Sequence, residues 1–251
     1  MMLSRFYVES RLKTGPMQYE GAEFHHMVRV TRHQVGDSVR LFDGKGNEAD
    51  AEITFVSRNS AALKVGKVEV MPDEDGPKLV LAVAIPKATR ASWLVEKAVE
   101  LGVTRVLPIR TQRSVVDPRQ SKLETLQSNI IAACKQCGRS RLMELGTVID
   151  WSEFVANKLE GSAVAIAHPG GVPFTTGVIS SLCDDATKKT PESSRGTVTI
   201  VIGPEGGFTV EEITQAASRG AQLVSLGPRI LRVETAALAA ASLFVGAMMD
   251  A

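Results

Sequence analysis

The 251-residue chain is poor in cysteine, with three, and in aromatic residues, at 5%. Cys134, Cys137 and Cys183 are too few, and odd in number, for a disulfide framework. Cys134-Lys-Gln-Cys137 is a lone CxxC pair, and a zinc site would need two further ligands. A redox pair normally opens a helix, where the dipole lowers a thiol pKa, whereas this one ends a predicted helix on its apolar stripe. Core packing is the expectation for it. His25, His26 and His33 have no carboxylate or cysteine at matching spacing, so no metal is expected. The longest apolar stretch, Ala236–Met249, is alanine-rich and interrupted by Ser242 and Gly246, too short and weak for a membrane span. The start of the chain has no basic segment followed by an apolar core, so no signal peptide is expected and the cytoplasm is the expected compartment. So few aromatics argue against an open platform of stacking rings.

Net charge is only +1, but it is unevenly spread. Residues 78–143 carry twelve Lys or Arg against four Asp or Glu, a local excess of +8. Solvated helix faces can produce such an imbalance, and so can a surface turned towards a polyanion.

Two regions differ in pattern. Residues 1–72 read as short strands: Ser38–Phe42 and Glu48–Val56 alternate around Asp43-Gly-Lys-Gly46, a hairpin signal, and Ala61–Val70 gives another. Phe24–Arg32 is the one helix expected there, and Phe6 and Tyr7 read as core. The run Met71–Pro77 has turn residues and clustered charge, which places a boundary at about residue 72. From 73 to 251 strands and helices alternate. Leu79–Ile85 is a buried strand, followed by a helix from an N-cap at Thr89 to Leu101 with Trp93 in the core. Further strands are expected at Arg105–Ile109, Ala163–Ala167, Val198–Ile202 and Leu223–Leu226. Helices are expected at Lys122–Cys137, Phe174–Leu182, Val210–Arg219 and Thr235–Met249, with a polar loop at Thr187–Gly196. This is an α/β domain with a mostly parallel sheet.

Two strand-to-loop transitions carry the chemistry. Val198–Ile202 runs into Gly203-Pro-Glu-Gly-Gly-Phe-Thr209, and Thr209 with Glu212 forms a capping box for the next helix. Leu223–Leu226 runs into Gly227-Pro-Arg-Ile-Leu-Arg-Val-Glu-Thr235. Open α/β sheets bind ligands past the carboxyl ends of their strands, and glycines there admit a ligand to the backbone. Neither loop ends in Gly-Lys-Ser/Thr, and Leu79–Ile85 runs into Pro86-Lys-Ala88 without glycine, which disfavours both a phosphate loop and a dinucleotide fingerprint.

These loops, with Glu96-Lys-Ala-Val-Glu-Leu-Gly-Val103 and Gln136-Cys-Gly-Arg139, resemble the bacterial SPOUT-class methyltransferases that methylate N3 of one uridine in 16S ribosomal RNA. Val39-Arg-Leu-Phe-Asp-Gly44 resembles that family's PUA-like RNA-binding module, so the resemblance spans the chain. It implies a parallel sheet with a C-terminal trefoil knot, an exception to the no-knot rule. It also implies a homodimer that binds S-adenosylmethionine and acts on the small ribosomal subunit. By motif position the cofactor residues would be Ile202, Gly203, Pro204, Glu205, Gly206, Gly207, Leu226, Gly227, Ile230, Leu231 and Thr235. His168, followed by Pro169, is either a further contact or a plain loop residue. The apolar helix Thr235–Met249 must be buried, in its own subunit or across a dimer.

Methyl transfer to uracil N3 requires loss of its proton or stabilisation of the resulting charge. Arg232 and Glu234 are expected near the reacting base, with a mutual ion pair or helix cap as the plainer role. Arg90, Lys97, Arg113 and Arg139 are expected to face the RNA, and Arg5, Arg29, Arg32 and Lys45 to hold it through the N-terminal module. Two departures from the family's pattern stand out. Lys135 occupies a position where an acid is expected, and Lys87-Ala-Thr-Arg90 matches only at its basic residues. Another RNA target such as tRNA, or a non-catalytic assembly factor, are the rival readings.

Overall fold

The computed structural model describes residues 3–73, 76–115, 120–157, 163–188 and 196–249. The expected boundary run Met71–Pro77 and the expected polar loop Thr187–Gly196 lie partly outside the described residues. The chain divides into two compact units, Met1–Glu74 with Ile131–Leu142, and Asp75–Ile130 with Met143–Ala251.

The first unit is one six-stranded sheet. Its strands are β1 (Arg5–Tyr7), β2 (Gly15–Glu20), β3 (Ser38–Phe42), β4 (Asn47–Val56), β5 (Ser60–Val65) and β6 (Glu69–Val70). Their order is β1-β3-β4-β5-β2, with β6 beside β4, and only the β1–β3 pair is parallel. The expected β3–β4 hairpin forms around Asp43, which is 1% exposed. Its carboxylate accepts the main-chain N–H groups of Lys45 and Asn47 at 2.9 and 3.1 Å and the Asn47 amide at 2.6 Å. Gly44 and Gly46 take the positive φ values the turn requires. Along β4, Ala49, Ala51 and Ile53 point into the core, and a bulge after Ile53 then turns Phe55 outward. The strand expected over Ala61–Val70 is interrupted at Gly66, whose N–H bonds to Asp50 O. The expected helix starts earlier, as α1 (Gly21–His25), and passes into a π-helical turn, His26–Val30. Phe6, Phe24, Met27, Leu41 and Leu63 fill the core, whereas Tyr7 is only half-buried.

The second unit is a parallel sheet flanked by helices. Its strands are β7 (Lys78–Val83), β8 (Arg105–Arg110), β9 (Glu144–Leu145), β10 (Ile149–Asp150), β11 (Ala163–Pro173), β12 (Thr197–Ile202) and β13 (Gln222–Ser225). The order is β10-β8-β7-β12-β11-β13, with β9 beside β8, and every pairing is parallel. The helices are α2 (Ala88–Glu100), α3 (Gln120–Cys137), α4 (Trp151–Asn157), α5 (Thr176–Lys188), α6 (Val210–Ser218) and α7 (Val233–Met249). α3 contributes residues to both units.

Three expectations need correction. α2 begins at Ala88 with Lys87 in the N-cap position, so Thr89 lies inside the first turn. Trp93 is 46% exposed, because α2 buries the face carrying Ala91, Leu94, Val95, Ala98 and Val99. Of the cysteine pair, Cys134 is buried but Cys137 is exposed on the final turn of α3. The helix expected to be buried in its own subunit or across a dimer, α7, packs on α2 and α5 and leaves Leu243 46% exposed in the single chain.

Candidate functional site

The site is built where β11, β12 and β13 end. β12 delivers the Gly203–Thr209 loop, held at its far end by the expected capping box: Thr209 Oγ1 accepts Glu212 N–H at 3.2 Å, and Glu212 Oε2 accepts Thr209 N–H at 2.9 Å. Gly203 is required by packing, since a Cβ there would stand 2.7 Å from Cε2 of Phe208. Phe208 in turn lies against Trp151, ring centroids 4.9 Å apart. β13 delivers the second loop, in which Gly227 has φ of 115°. β11 pairs with β13 at Ala167, bulges through residues 168–171, and pairs again at Val172, both times opposite Val224. A side chain at Gly171 would overlap the main chain of Leu223 and Val224, so only glycine permits that approach. The bulge carries His168, whose Nδ1 accepts Gly170 N–H at 3.1 Å.

These elements enclose a cleft. The first loop contributes Ile202, Gly203, Pro204, Glu205, Gly207 and Phe208, and β13 with its loop contributes Ser225, Leu226, Gly227, Arg229, Ile230 and Leu231. Ala167, His168 and Pro169 form a third wall, with Val233 and Ala236 of α7. The Ile230 side chain is 94% exposed beside this cleft.

A group of charges braces the first loop. Arg113 donates to Gly206 O at 2.9 Å, and the Gln112 N–H donates to Glu212 Oε1 at 2.8 Å. Arg90 Nη1 stands 3.4 Å from Glu205 Oε1 and 3.9 Å from Glu234 Oε2. Glu234 is 6% exposed, and its Oε2 has no hydrogen-bond donor among the described residues.

Residues 74–245 match the RNA methyltransferase domain family, and residues 19–66 match the RNA methyltransferase PUA domain. The ribosomal RNA small subunit methyltransferase E of Rickettsia conorii is 30% identical over 243 residues, covering 96% of this chain and 94% of that one. The enzyme of the same name from Bacillus subtilis is 28% identical, covering 96% and 95%. The chain belongs to the ribosomal RNA small subunit methyltransferase E family. A methyltransferase from Legionella pneumophila solved with its cofactor SAM bound superposes with a TM-score of 0.84 at 29% identity, covering 98% of both chains. A family member from Neisseria gonorrhoeae bound to S-adenosyl methionine gives 0.80 at 28% identity, covering 96% of both.

Among the residues this family resemblance singles out for the cofactor, only Gly206 and Thr235 stand outside the cleft lining. Gly206 faces Arg113 instead, and Thr235 is exposed on the first turn of α7. The lining also includes Phe208, Ser225, Arg229, Val233 and Ala236, which sequence reasoning did not single out. Phe208 and Arg229 lie inside the two loop motifs, so the motifs themselves held that signal.

The two residues expected near the reacting base differ in burial: Glu234 is buried and Arg232 exposed, and a guanidinium that approaches Glu234 is that of Arg90. Arg29, Arg32 and Lys45 are exposed on the first unit. Arg5 is turned inward, its side chain 11% exposed, paired with Glu48 and lying 5.0 Å over the Phe42 ring. The main-chain oxygen of half-buried Arg139 accepts from Arg5. Lys97 is held by Glu100 and Glu96 at 2.8 and 2.9 Å, which raises its pKa. Lys135, the residue out of pattern, pairs with Glu23.

Proposed function

We propose that this enzyme transfers a methyl group from S-adenosylmethionine to N3 of one uridine in 16S ribosomal RNA. The observation that carries this reading is the cleft made by the two glycine loops at the carboxyl ends of β12 and β13. Its make-up fits the cofactor. Ile202, Leu226, Ile230 and Leu231 offer apolar surface to a purine, and Ile230 is an uncovered apolar side chain that such a ring would cover. Gly227 lets main chain approach the ligand without a Cβ. Glu205, His168 and Arg229 supply polar groups at the rim.

When bound, S-adenosylmethionine supplies an electrophilic methyl group on a sulfonium centre. The chain's own residues must present an unpaired or extruded uracil to it, because pairing hides N3. We assign Glu234 to the fate of the N3 proton and Arg232 to the charge left on the ring oxygens. Glu234's burial and its Oε2, without a hydrogen-bond donor among the described residues, support the first assignment. The exposed Arg29, Arg32 and Lys45 of the first unit would hold flanking RNA by its backbone, with Arg113 and Arg90 in the second.

Three finer points belong to the same reading. A knotted C-terminal region belongs to this reading through the family resemblance. Exposed Leu243 on α7 supports a homodimer that covers this helix. The small ribosomal subunit in the cytoplasm is the proposed setting, with residues 1–72 as the RNA-holding module and 73–251 as the catalytic one.

Methyl transfer from labelled S-adenosylmethionine to small subunits, naked 16S RNA and tRNA, followed by nucleoside analysis, tests this. A single N3-methyluridine in 16S RNA is expected. Label in tRNA or on another atom would overturn the target, and cofactor binding without transfer to any RNA would favour a non-catalytic factor.

A further inference from the structure

Glu212 is 8% exposed and sits on the first turn of α6, behind the cleft rather than in its lining. A capping-box glutamate needs only one acceptor, for the N–H of the N-cap residue. Here the second oxygen is also engaged. Oε2 takes Thr209 N–H at 2.9 Å, while Oε1 takes Gln112 N–H at 2.8 Å, from a segment 100 residues away in sequence. That segment is the turn after β8, closed by Ser114 N–H on Thr111 O at 3.1 Å and by the Ser114 hydroxyl, which receives Thr111 N–H at 2.9 Å. The same turn carries Arg113, which holds Gly206 O. The cofactor loop is therefore tied to a rigid turn of a neighbouring strand at two points, one of them the carboxylate that also caps its own helix.

From this we infer that Glu212 is a positioning residue for the cofactor cleft: its carboxylate, shared between Thr209 N–H and Gln112 N–H, holds the Gly203–Phe208 loop in its ligand-binding shape. The inference rests on the reading of the cleft as the S-adenosylmethionine site. Glu212 stands outside the cleft lining. It acts through the register of Phe208, which lines the cleft and fills the space beside Gly203. A carboxylate can accept from both N–H groups, whereas an amide would turn an N–H₂ towards one of them and leave a buried donor unpaired.

The test is S-adenosylmethionine binding by calorimetry, with thermal melts, on the full chain and three variants. Glu212→Gln keeps the shape and loses one acceptor. Gln112→Pro deletes only the donated N–H, at the second position of a β-turn where proline is favoured, and leaves the α6 cap whole. Thr209→Val removes the capping hydroxyl and leaves both carboxylate bonds in place. The expected result is at least roughly fivefold weaker binding for Glu212→Gln and for Gln112→Pro, with Thr209→Val within about twofold of the parent although its melting temperature falls. Parental affinity in both Glu212→Gln and Gln112→Pro would overturn the inference. So would Thr209→Val weakening binding as much as Glu212→Gln, because helix capping would then account for everything. If Glu212→Gln does not fold, Gln112→Pro decides alone. Failure of the parent chain to bind S-adenosylmethionine would instead remove the underlying reading of the cleft.

Discussion

Lys135 Nζ lies 2.9 Å from Glu23 Oε2 and 3.0 Å from Glu23 Oε1, over the face of Phe6 at 5.2 Å from its centroid. The family pattern leads one to expect an acid at position 135. The structure answers that departure locally: α1 supplies a carboxylate, and the ammonium also lies 3.3 Å from His26 Nδ1. Burial and the Lys135 charge together lower the His26 pKa, consistent with a neutral ring beside the cation. Glu23 Oε2 additionally accepts Tyr7 N–H at 3.1 Å, so the pair fixes β1 against α1.

Reversing the charge at 135 should therefore destabilise the first unit. Lys135→Glu places two carboxylates together in a half-buried site, at a cost of about 1–3 kcal/mol. Glu23→Gln in the same chain keeps an acceptor for Tyr7 N–H, removes the repulsion and should recover much of that loss. Urea melts of the two single variants and the double variant give the coupling energy. A coupling near zero would show that the pair is a surface contact without consequence.

Acid stability should depend on Asp43. Burial opposes ionisation of this carboxyl, but hydrogen bonds from the Asn47 side chain and from the Lys45 and Asn47 main chains bring its pKa below the ordinary 3.8. The unfolded chain thus binds a proton there at higher pH than the folded one. The stabilisation is full above the unfolded value and is lost as pH falls through it towards the folded value. Denaturant melts between about pH 6 and pH 3 should show stability falling on acidification, and Asp43→Asn should flatten that slope while costing roughly 1–3 kcal/mol near neutrality. An unchanged slope would mean another carboxylate governs acid unfolding.

Much of the site was legible because its signals are local. The capping box lies within four consecutive residues, and each glycine loop follows directly on a run of strand-forming residues. What was hidden depends on distant partners. Nothing near Glu212 announces Gln112, and nothing near Lys135 announces Glu23, 112 positions away. Trp93 was misread because α2 has apolar residues on more than one side, and only docking on the sheet decides which are covered. β9 and β10 are two residues each, too short to show a period, and they form because β8 offers pairing edges.

The neighbouring glycines of the first loop should respond differently to alanine. At Gly203 a methyl would press on Phe208 at 2.7 Å and push it from Trp151, while at Gly206 it would stand 3.3 Å from Cβ of Arg113, a contact tight by only a few tenths of an ångström. Neither position needs a positive φ, so sterics alone decide. Gly203→Ala should cost about 1–3 kcal/mol in stability and weaken cofactor binding at least about tenfold, whereas Gly206→Ala, with the longer contact, should lose clearly less in both. Equal effects at the two positions would mean that Phe208 packing does not shape the cleft.

Kinetics can separate the roles given to Glu234 and Arg232. Glu234 is buried with the Arg90 guanidinium at 3.9 Å, whereas Arg232 is exposed and unconstrained by burial. A group that handles the N3 proton contributes to the chemical step, so Glu234→Gln, which keeps volume and polarity, should lower kcat by about a hundredfold or more with cofactor affinity little changed. A group that offsets charge on the ring oxygens should matter in kcat as well, but lysine retains the charge, so Arg232→Lys should recover part of what Arg232→Ala loses. Arg90→Ala supplies the contrast. If Glu234 serves only as a structural counter-ion for Arg90, then removing Arg90 should reproduce the Glu234→Gln phenotype and the double variant should be no worse than either. If Glu234 acts on the base directly, the double variant should fall below both single variants, and the pH–rate profile should lose a limb only when Glu234 is changed.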